Sequence, residues 1–421
     1  MGSARSMLAR LARRLGLVPS GSADRIGEDD ALRTTVLPHE AMVFFADPPG
    51  SLYQLEQWYE PLRALDREMR TVVVLRDSRT ARQVRATSGL DVVVAAEPST
   101  VEGLVLRGRL RLAIYVNHHP DNFTNLRLAQ LVHVSLMHGD SDKQVTVSNQ
   151  TKAYDFSFVA GQAAVDRMAA SSVFFDASAR CVPIGRPQVD EHLARVAALR
   201  EARGAADRPT VLYAPTWEGT PGQSAYGTVV SHGEAVVRSL LGAGYRVVYR
   251  PHPLTGVHSR AYRDADARLR ALVREAGERG RLDVDGVPLA DSFAAADVLV
   301  CDVSGVAIDW LATGGPMVFL RPAADEARAA PSPLTEVVPW VDADDAAGIA
   351  TLVDAIRADD AQAATRRVLV EHYLGDTTPG AATARFVGAC QDAVRAYDEQ
   401  AARRTRTTAV PDGQLVKENE G

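Results

Sequence analysis

The chain has 421 residues, of which 46% are apolar and 24% charged, and its 47 Lys and Arg against 53 Asp and Glu give a formal net charge of −6. This length exceeds one ordinary hydrophobic core and predicts two domains, while the negative balance excludes a general nucleic-acid-binding protein. The three cysteines, Cys181, Cys301 and Cys390, show neither disulfide nor metal-site spacing and indicate a reducing, cytoplasmic compartment.

The first twenty residues have an unusual composition. They contain four arginines and no acidic residue, and four apolar residues recur at helical spacing before Pro19. The arginines are Arg5, Arg10, Arg13 and Arg14, and the apolar residues are Met7, Leu8, Leu11 and Leu15. This pattern predicts a basic amphipathic helix over residues 1–20 that lies on an anionic membrane surface. The alternative is a solvated, fraying terminus.

From about residue 40 the chain alternates apolar, β-branched runs with helical stretches. Strands are predicted over residues 41–46, 71–75, 91–95, 111–116, 131–137 and 155–160, and the clearest helix between them covers residues 162–170. The pattern restarts with a strand at 181–185, a helix at 189–202 and a linker near residue 205. Strands at 210–214, 245–250, 297–301 and 316–320 follow, with helices near 233–242, 260–278, 304–313 and 381–396.

Short apolar strands separated by helices are typical of parallel sheets covered on both faces. The sequence therefore predicts an α/β protein with two facing Rossmann-like domains and an interdomain cleft. The N-terminal domain is predicted over residues 38–203 and the C-terminal domain over 208–396. The polar stretch from residue 403 to 421 is predicted to be a disordered tail.

Ligands of such sheets bind beyond the carboxyl ends of the strands. After the strand ending at Met137 comes His138-Gly139, where an imidazole can serve as a base near neutral pH. Asp140 and Asp142 are both candidates for a carboxylate that orients it. The predicted acceptor loop also contains Ser141 and Lys143.

Three further strand ends predict an anion site in the second half. Arg250 and His252 are held by Pro251 and Pro253, and an arginine fork suits phosphate oxygens. Asp302, Ser304 and Gly305 precede a predicted helix whose free N–H groups attract phosphate. Pro215, Thr216 and Trp217 follow a third strand, where Thr216 can donate to phosphate and Trp217 can cover a base or serve as a core aromatic.

Other signals are absent or weak in the sequence. His118-His119 lacks a third ligand at a familiar spacing, so we interpret it as a polar loop and predict no metal site. No Walker-type loop, no Gly-x-Ser-x-Gly and no Gly-x-Gly-x-x-Gly after the first strand occurs. These absences disfavour a P-loop NTPase, an α/β-hydrolase and a typical dinucleotide oxidoreductase.

In this order the strand-end motifs resemble the CDP-glycerol glycerophosphotransferase family, whose members have the GT-B fold and synthesise teichoic acids. The resemblance covers roughly residues 110–395 and closes with Tyr373-Leu374-Gly375-Asp376. Two departures are the acidic loop at 140–142, where the family shows His-Gly-Thr, and Val303-Ser304-Gly305, where the family has a Ser-rich run.

The resemblance implies transfer of glycerol phosphate, or a related polyol phosphate, from CDP-glycerol or another CDP-polyol to a hydroxyl of a glycan or lipid-linked acceptor, with release of CMP. In this scheme His138 is the base. Arg250, His252, Ser304 and Gly305 hold the pyrophosphate and stabilise the leaving CMP, and no cofactor is implied. A GT-B glycosyltransferase using a UDP- or GDP-sugar, an epimerase of that architecture and a non-catalytic scaffold remain as alternatives.

Overall fold

The structure is a computed structural model that describes residues 23–136, 139–142, 149–204, 208–219, 226–284, 286–322 and 331–408. The predicted basic segment at 1–20 lies outside these residues, as do His138 and Lys143.

Seven strands form the first sheet, in the order β3-β2-β1-β4-β5-β6-β7. β1 pairs in parallel with β2 and β4, so that Val43 lies opposite Val73 on one side and Ile114 on the other. All residues of β1 and β2 are buried, as expected for a parallel sheet covered on both faces. The strands are β1 Ala41–Phe45, β2 Thr71–Leu75, β3 Asp91–Val94, β4 Leu112–Tyr115, β5 Val132–Ser135, β6 Phe156–Val159 and β7 Cys181–Pro183.

Local signals set the ends of several helices in this half. The Asp77 carboxylate caps α4 by accepting from the Arg79 and Thr80 N–H groups, and Gly204 ends α9 at a positive φ of 63°. The helices are α1 Asp29–Leu32, α2 Tyr53–Glu56, α3 Tyr59–Glu68, α4 Ser78–Thr87, α5 Pro98–Arg107, α6 Asn122–Asn125, α7 Gln162–Ser171, α8 Ala177–Arg180 and α9 Pro187–Arg203.

The second sheet has six strands in the order β10-β9-β8-β11-β12-β13, and each pairing is parallel. The strands are β8 Thr210–Ala214, β9 Arg246–Tyr249, β10 Gly280–Leu282, β11 Val298–Cys301, β12 Met317–Leu320 and β13 Trp340–Val341. The helices are α10 Gly233–Gly242, α11 Arg260–Glu275, α12 Leu289–Ala295, α13 Gly305–Leu311, α14 Pro333–Val337, α15 Ile349–Ala358, α16 Ala363–Leu374 and α17 Ala381–Thr408.

The core of the second sheet lies on both of its faces. Leu212 and Ala214 of β8 belong to one apolar cluster, and the alternating Val211 and Tyr213 belong to the other. This period of two, with both sets buried, is the pattern of a central parallel strand. The α/β class with two Rossmann-like sheets is therefore confirmed.

The contacts divide the chain into two compact units. Unit 1 comprises Met1–Ser135, Tyr154–Phe156 and Phe386–Gly421, and unit 2 comprises Leu136–Ala153 and Ser157–Arg385. Residues up to 203 were expected in the N-terminal domain, yet α9 packs along α12 of the second sheet, which groups it with unit 2. The predicted boundary near residue 205 stays a prediction.

Two features extend beyond the sequence-based assignment. The edge strands β10 and β13 were not predicted, because they have only three and two residues. The last helix continues to Thr408, so residues 403–408, expected in the tail, are helical. In the described part of the chain no helix is both long enough and apolar enough to span a membrane.

Candidate active site

The order of the second sheet reverses between β8 and β11, which lie side by side with Ala214 opposite Cys301. Such a reversal leaves a crevice at the carboxyl ends of the two strands, and this is where open α/β sheets bind ligands. The residues after β8 (215–218) and after β11 (302–305) therefore flank the crevice. β9 lies on the other side of β8, and Tyr249 is opposite Tyr213.

Asp302 joins the two strand ends. Its side chain is fully buried, and it accepts from the Thr216 N–H at 2.7 Å and from the Thr228 hydroxyl. Because one oxygen holds the chain after β8 and the other holds the loop before α10, Asp302 fixes the geometry of the crevice. Asp302 therefore influences the site by holding the Thr216 backbone in place.

Trp217 and His252 are brought together from the ends of β8 and β9. Their ring centroids are 6.2 Å apart at an interplanar angle of 27°, and His258 lies 5.7 Å from the indole on another side. Trp217 and His252 are each partly exposed. Trp217 thus forms part of the site wall.

The orientation of His252 is set by the backbone. The Leu254 N–H donates to Nδ1 at 3.1 Å, and the His252 carbonyl accepts from the Thr255 N–H at 2.9 Å. Because Nδ1 accepts, the neutral ring carries its proton on Nε2. In this tautomer Nε2–H can donate a hydrogen bond, and the predicted contact of His252 with phosphate stays a prediction.

Glu218 supports the same turn, and the sequence analysis gave it no role. Its carboxylate accepts from the backbone N–H groups of Gly256, His258 and Ser259 at 2.9–3.0 Å. Burial raises the pKa of Glu218, but these N–H donors outweigh burial and lower it overall. Glu218 therefore anchors the segment that follows His252 and leads into α11.

Arg250 is held by the segment that leads into α12 and by α12 itself. Its Nη1 donates to the Val287 carbonyl at 2.9 Å and to the Ser292 hydroxyl at 3.1 Å. Ser292 in turn donates to the buried Asp283 carboxylate at 2.6 Å. The guanidinium is thus a fixed charge beside the end of β9.

Ser304 precedes α13 in an extended conformation, with φ −158° and ψ 169°. Its side chain makes no capping hydrogen bond, and its buried hydroxyl has no partner among the described residues. An orphaned buried hydroxyl is unusual in a native fold and points to a missing ligand or water. The backbone N–H groups at the start of α13 lie beside it.

The described part of the predicted acceptor loop, residues 139–142, contacts the start of α13 within unit 2. A Cβ on Gly305 would lie 3.4 Å from the Asp140 carbonyl oxygen. Ser141 and Asp142 are buried, and Asp140 is mostly so. The structure therefore brings the loop and Ser304-Gly305 together, while His138 and Lys143 lie outside the described residues.

The histidine pair of the first half follows β4. His119 Nδ1 accepts from the Asp121 N–H at 3.1 Å, whereas both ring nitrogens of His118 are buried without a partner among the described residues. Burial lowers the pKa of His118. Over the described ranges, no group of three or more His, Cys, Asp or Glu is placed to hold a metal ion.

Solved structures show the same fold at low sequence identity. The wall teichoic acid polymerase TagF matches with a TM-score of 0.54 at 15% identity, over 94% of this chain and 98% of that chain. The S. aureus MnaA-UDP co-structure matches with 0.56 at 13% identity, over 85% and 97%. A UDP-GlcNAc 2-epimerase from Neisseria meningitidis matches with 0.54 at 8% identity, over 84% and 100%.

A model of one protein family also matches the sequence. Its description is CDP-Glycerol:Poly(glycerophosphate) glycerophosphotransferase, and the match covers residues 45–387. A search of curated protein sequences gives no match.

Proposed function

The chain belongs to the CDP-glycerol:poly(glycerophosphate) glycerophosphotransferase family, and from this premise we propose that it transfers glycerol phosphate from CDP-glycerol to an acceptor hydroxyl and releases CMP. The protein is a transferase of teichoic-acid type with a GT-B fold. A CDP-activated polyol such as CDP-ribitol is a related donor. The acceptor we propose is a lipid-linked glycan or a teichoic-acid-like chain.

The observation that carries this proposal is the crevice at the β8–β11 reversal. His252, with its proton on Nε2, and the unpartnered hydroxyl of Ser304 are two neutral donors that follow the strands on either side of β8. The Gly305 N–H at the start of α13 is a third, and Arg250 adds a fixed charge. These groups suit a pyrophosphate, because helix starts and oriented donors stabilise phosphate oxygens. Trp217 would then cover the nucleoside.

The chemistry proposed for this site is an in-line displacement. The acceptor oxygen attacks the β-phosphorus of the donor, a new P–O bond forms, and the bond between that phosphorus and the bridging oxygen breaks, so that CMP leaves with the electron pair. The hydroxyl proton passes to His138. Such transfers depend mainly on positioning and charge stabilisation, which His252, Ser304 and Arg250 would provide.

We also propose that the protein works at the cytoplasmic face of the membrane, held there by residues 1–20. Four arginines and an apolar stripe in one short segment support this. Co-sedimentation with anionic liposomes, at low and high salt, should show binding of the full chain that is lost on removal of residues 1–20. Equal sedimentation of the two forms would contradict the proposal.

A CMP-release assay tests the function. The wild-type protein should release CMP from CDP-glycerol or CDP-ribitol with a lipid-linked acceptor, and should not release UDP or GDP from a nucleotide sugar. The second arm addresses the glycosyltransferase alternative, since UDP-binding proteins share this fold. Release of UDP or GDP, or no release from any donor, would overturn the proposal.

A further inference from the structure

The two acidic residues of the 139–142 segment have different surroundings. Asp142 is almost enclosed, with 2% of its side chain exposed, and both of its oxygens are occupied. Arg167 donates to one oxygen at 2.6 Å, and Ser332 and Tyr373 donate to the other at 2.6 and 2.8 Å. Asp142 therefore ties this segment to α7, to the N-cap of α14 and to α16, all within unit 2.

Asp140 has a free oxygen. Arg167 also donates to its Oδ1, but its Oδ2 is buried and has no hydrogen-bond partner among the described residues. The side chain as a whole is 14% exposed, against 2% for Asp142, although Oδ2 itself is buried, so a ligand must displace the atoms that cover this oxygen. An ionised carboxylate oxygen without a donor is costly in a folded protein.

Several charged side chains of the described residues face Asp140. Burial raises its pKa, Arg167 opposes this, Asp142 adds to it, and Arg186 and the Ser141 N–H oppose it. Arg186 is itself paired with Asp309 of α13 at 2.9 and 3.0 Å. Among the described residues, two arginines thus face three carboxylates, and this balance of −1 favours a neutral hydrogen-bond donor over an anion as the partner of Asp140 Oδ2.

The position of this oxygen indicates which hydrogen-bonding group binds to it. The Asp140 backbone lies against Gly305, beside the hydroxyl of Ser304 and the start of α13, where the proposed function places the donor's phosphates. A hydroxyl group is neutral, donates a hydrogen bond and is the group that must approach this phosphorus.

We propose that Asp140 contacts the acceptor by accepting a hydrogen bond from a hydroxyl that neighbours the attacking one, whose own proton passes to His138, and that Asp142 and Arg167 are positioning residues that hold Asp140 in place. This assignment rests on the proposed function. It explains why the loop carries two carboxylates, since Asp142 anchors the segment and Asp140 contacts the acceptor.

Matched carboxamide variants separate the two roles. We would compare Asp140→Asn and Asp142→Asn with Asp291→Asn, a control that breaks an ion pair to Arg195 in the same unit. Each full-length protein would be assayed for CMP release from CDP-glycerol with a short poly(glycerophosphate) oligomer as acceptor. CDP binding by calorimetry and the melting temperature would be measured on the same preparations.

Asp140→Asn should keep the melting temperature and the CDP affinity of the wild type but lower kcat/KM for the oligomer roughly ten- to a hundredfold, the effect of one charge-assisted hydrogen bond. Wild-type kcat/KM should fall on the acid side through two protonations, that of the general base and that of Asp140, the latter at a higher pH than for an ordinary aspartate, and Asp140→Asn should lose the second of these. Asp142→Asn should lower the melting temperature and keep the acid limb, and Asp291→Asn should change neither activity nor pH profile.

Wild-type kcat/KM in Asp140→Asn, an acid limb as steep as that of the wild type, or a parallel loss of CDP affinity and turnover would overturn the assignment. A wild-type protein that binds CDP but releases no CMP would contradict the proposed function, and the assignment would fall with it. A wild-type protein that releases CMP while Asp140→Asn does so equally well would refute the assignment alone.

Discussion

The strands of the second sheet begin at one side of the sheet, which we call the amino edge, and end at the other, the carboxyl edge. The polar groups at these two edges have different uses. At the amino edge, Arg203, Arg246, Arg279 and Arg281 line a pocket of about 250 Å³. At the carboxyl edge, the His252 ring, held by the Leu254 N–H, and the buried, unpartnered hydroxyl of Ser304 follow strand ends. Both edges carry polar groups, so polarity alone does not identify the site.

What differs is the partner of each group. Arg203 donates to the Ala295 carbonyl at the end of α12, and Arg279 donates to the Leu241 carbonyl near the end of α10 at 2.7 Å. Helices in this fold end at the amino edge and begin at the carboxyl edge, so cations at the first stabilise helix ends, while free N–H groups at the second attract anions. The comparison favours a structural role for the basic pocket and supports the proposal that the less charged crevice binds the phosphates.

The largest expected effect is that of His138→Ala. Loss of a general base lowers the transfer rate by about 10²–10⁴-fold. CDP affinity should stay near that of the wild type, because the groups proposed to bind the donor are His252, Ser304 and Arg250. Single-turnover CMP release and CDP calorimetry check the two halves of this expectation. Near-wild-type turnover would contradict the role of His138.

His252→Ala should weaken CDP binding roughly ten- to a hundredfold, because it removes the Nε2–H donor proposed for the pyrophosphate. His258→Ala is a matched control, since its ring also contacts Trp217 but only its backbone N–H is used, by Glu218. Calorimetry with CDP on both variants decides this. Equal losses in the two variants would assign the effect to the Trp217 wall.

Glu218→Gln should lower the free energy of unfolding by about 1 kcal/mol, as for loss of a helix cap, and should weaken CDP binding by releasing the turn after His252. Because the pKa of Glu218 is lowered in the fold, its stabilising effect is full above its unfolded pKa and is lost as the pH falls through the lower folded value. Denaturant unfolding from pH 6 to pH 2.5 should therefore show a difference between variant and wild type that shrinks with acid. A constant difference would contradict this role.

The smallest effect is expected at the amino edge. Arg279→Gln should cost about 0.3–1 kcal/mol of stability, the range for a cation at a helix C-terminus, and should leave CDP affinity unchanged. Thermal unfolding and calorimetry measure both. A loss of CDP affinity would place an anion site at the basic pocket and reverse the comparison of the two edges.

Much of the fold could be predicted from the sequence. Runs such as residues 71–75 and 210–214 are strands with the predicted ends, because continuous apolar residues bury both faces of a parallel sheet. Strands β10 and β13 are too short to show a pattern, and Gly280 starts β10 where a Cβ would collide with the Val273 carbonyl. These edge strands form through tertiary contacts, which leave no periodic pattern in the local sequence.

The candidate site divides in the same way. His252 and Ser304 follow strands, and the rule that ligands bind at strand ends finds them. Glu218 acts on backbone N–H groups about 40 residues away, and Asp142 bonds to Ser332 and Tyr373, 190 and 231 residues away. No spacing in a single sequence encodes such partners, so the anchors of the site needed the structure.

The central claim is that the donor's phosphates bind at the carboxyl edge of the second sheet. The most direct test is the difference in affinity between CDP and cytidine, measured by calorimetry for the wild type, Ser304→Ala and Arg279→Gln. The account predicts that Ser304→Ala narrows this difference roughly tenfold or more, by weakening CDP alone, and that Arg279→Gln preserves it. An unchanged difference in Ser304→Ala, or a narrowed one in Arg279→Gln, would contradict the account.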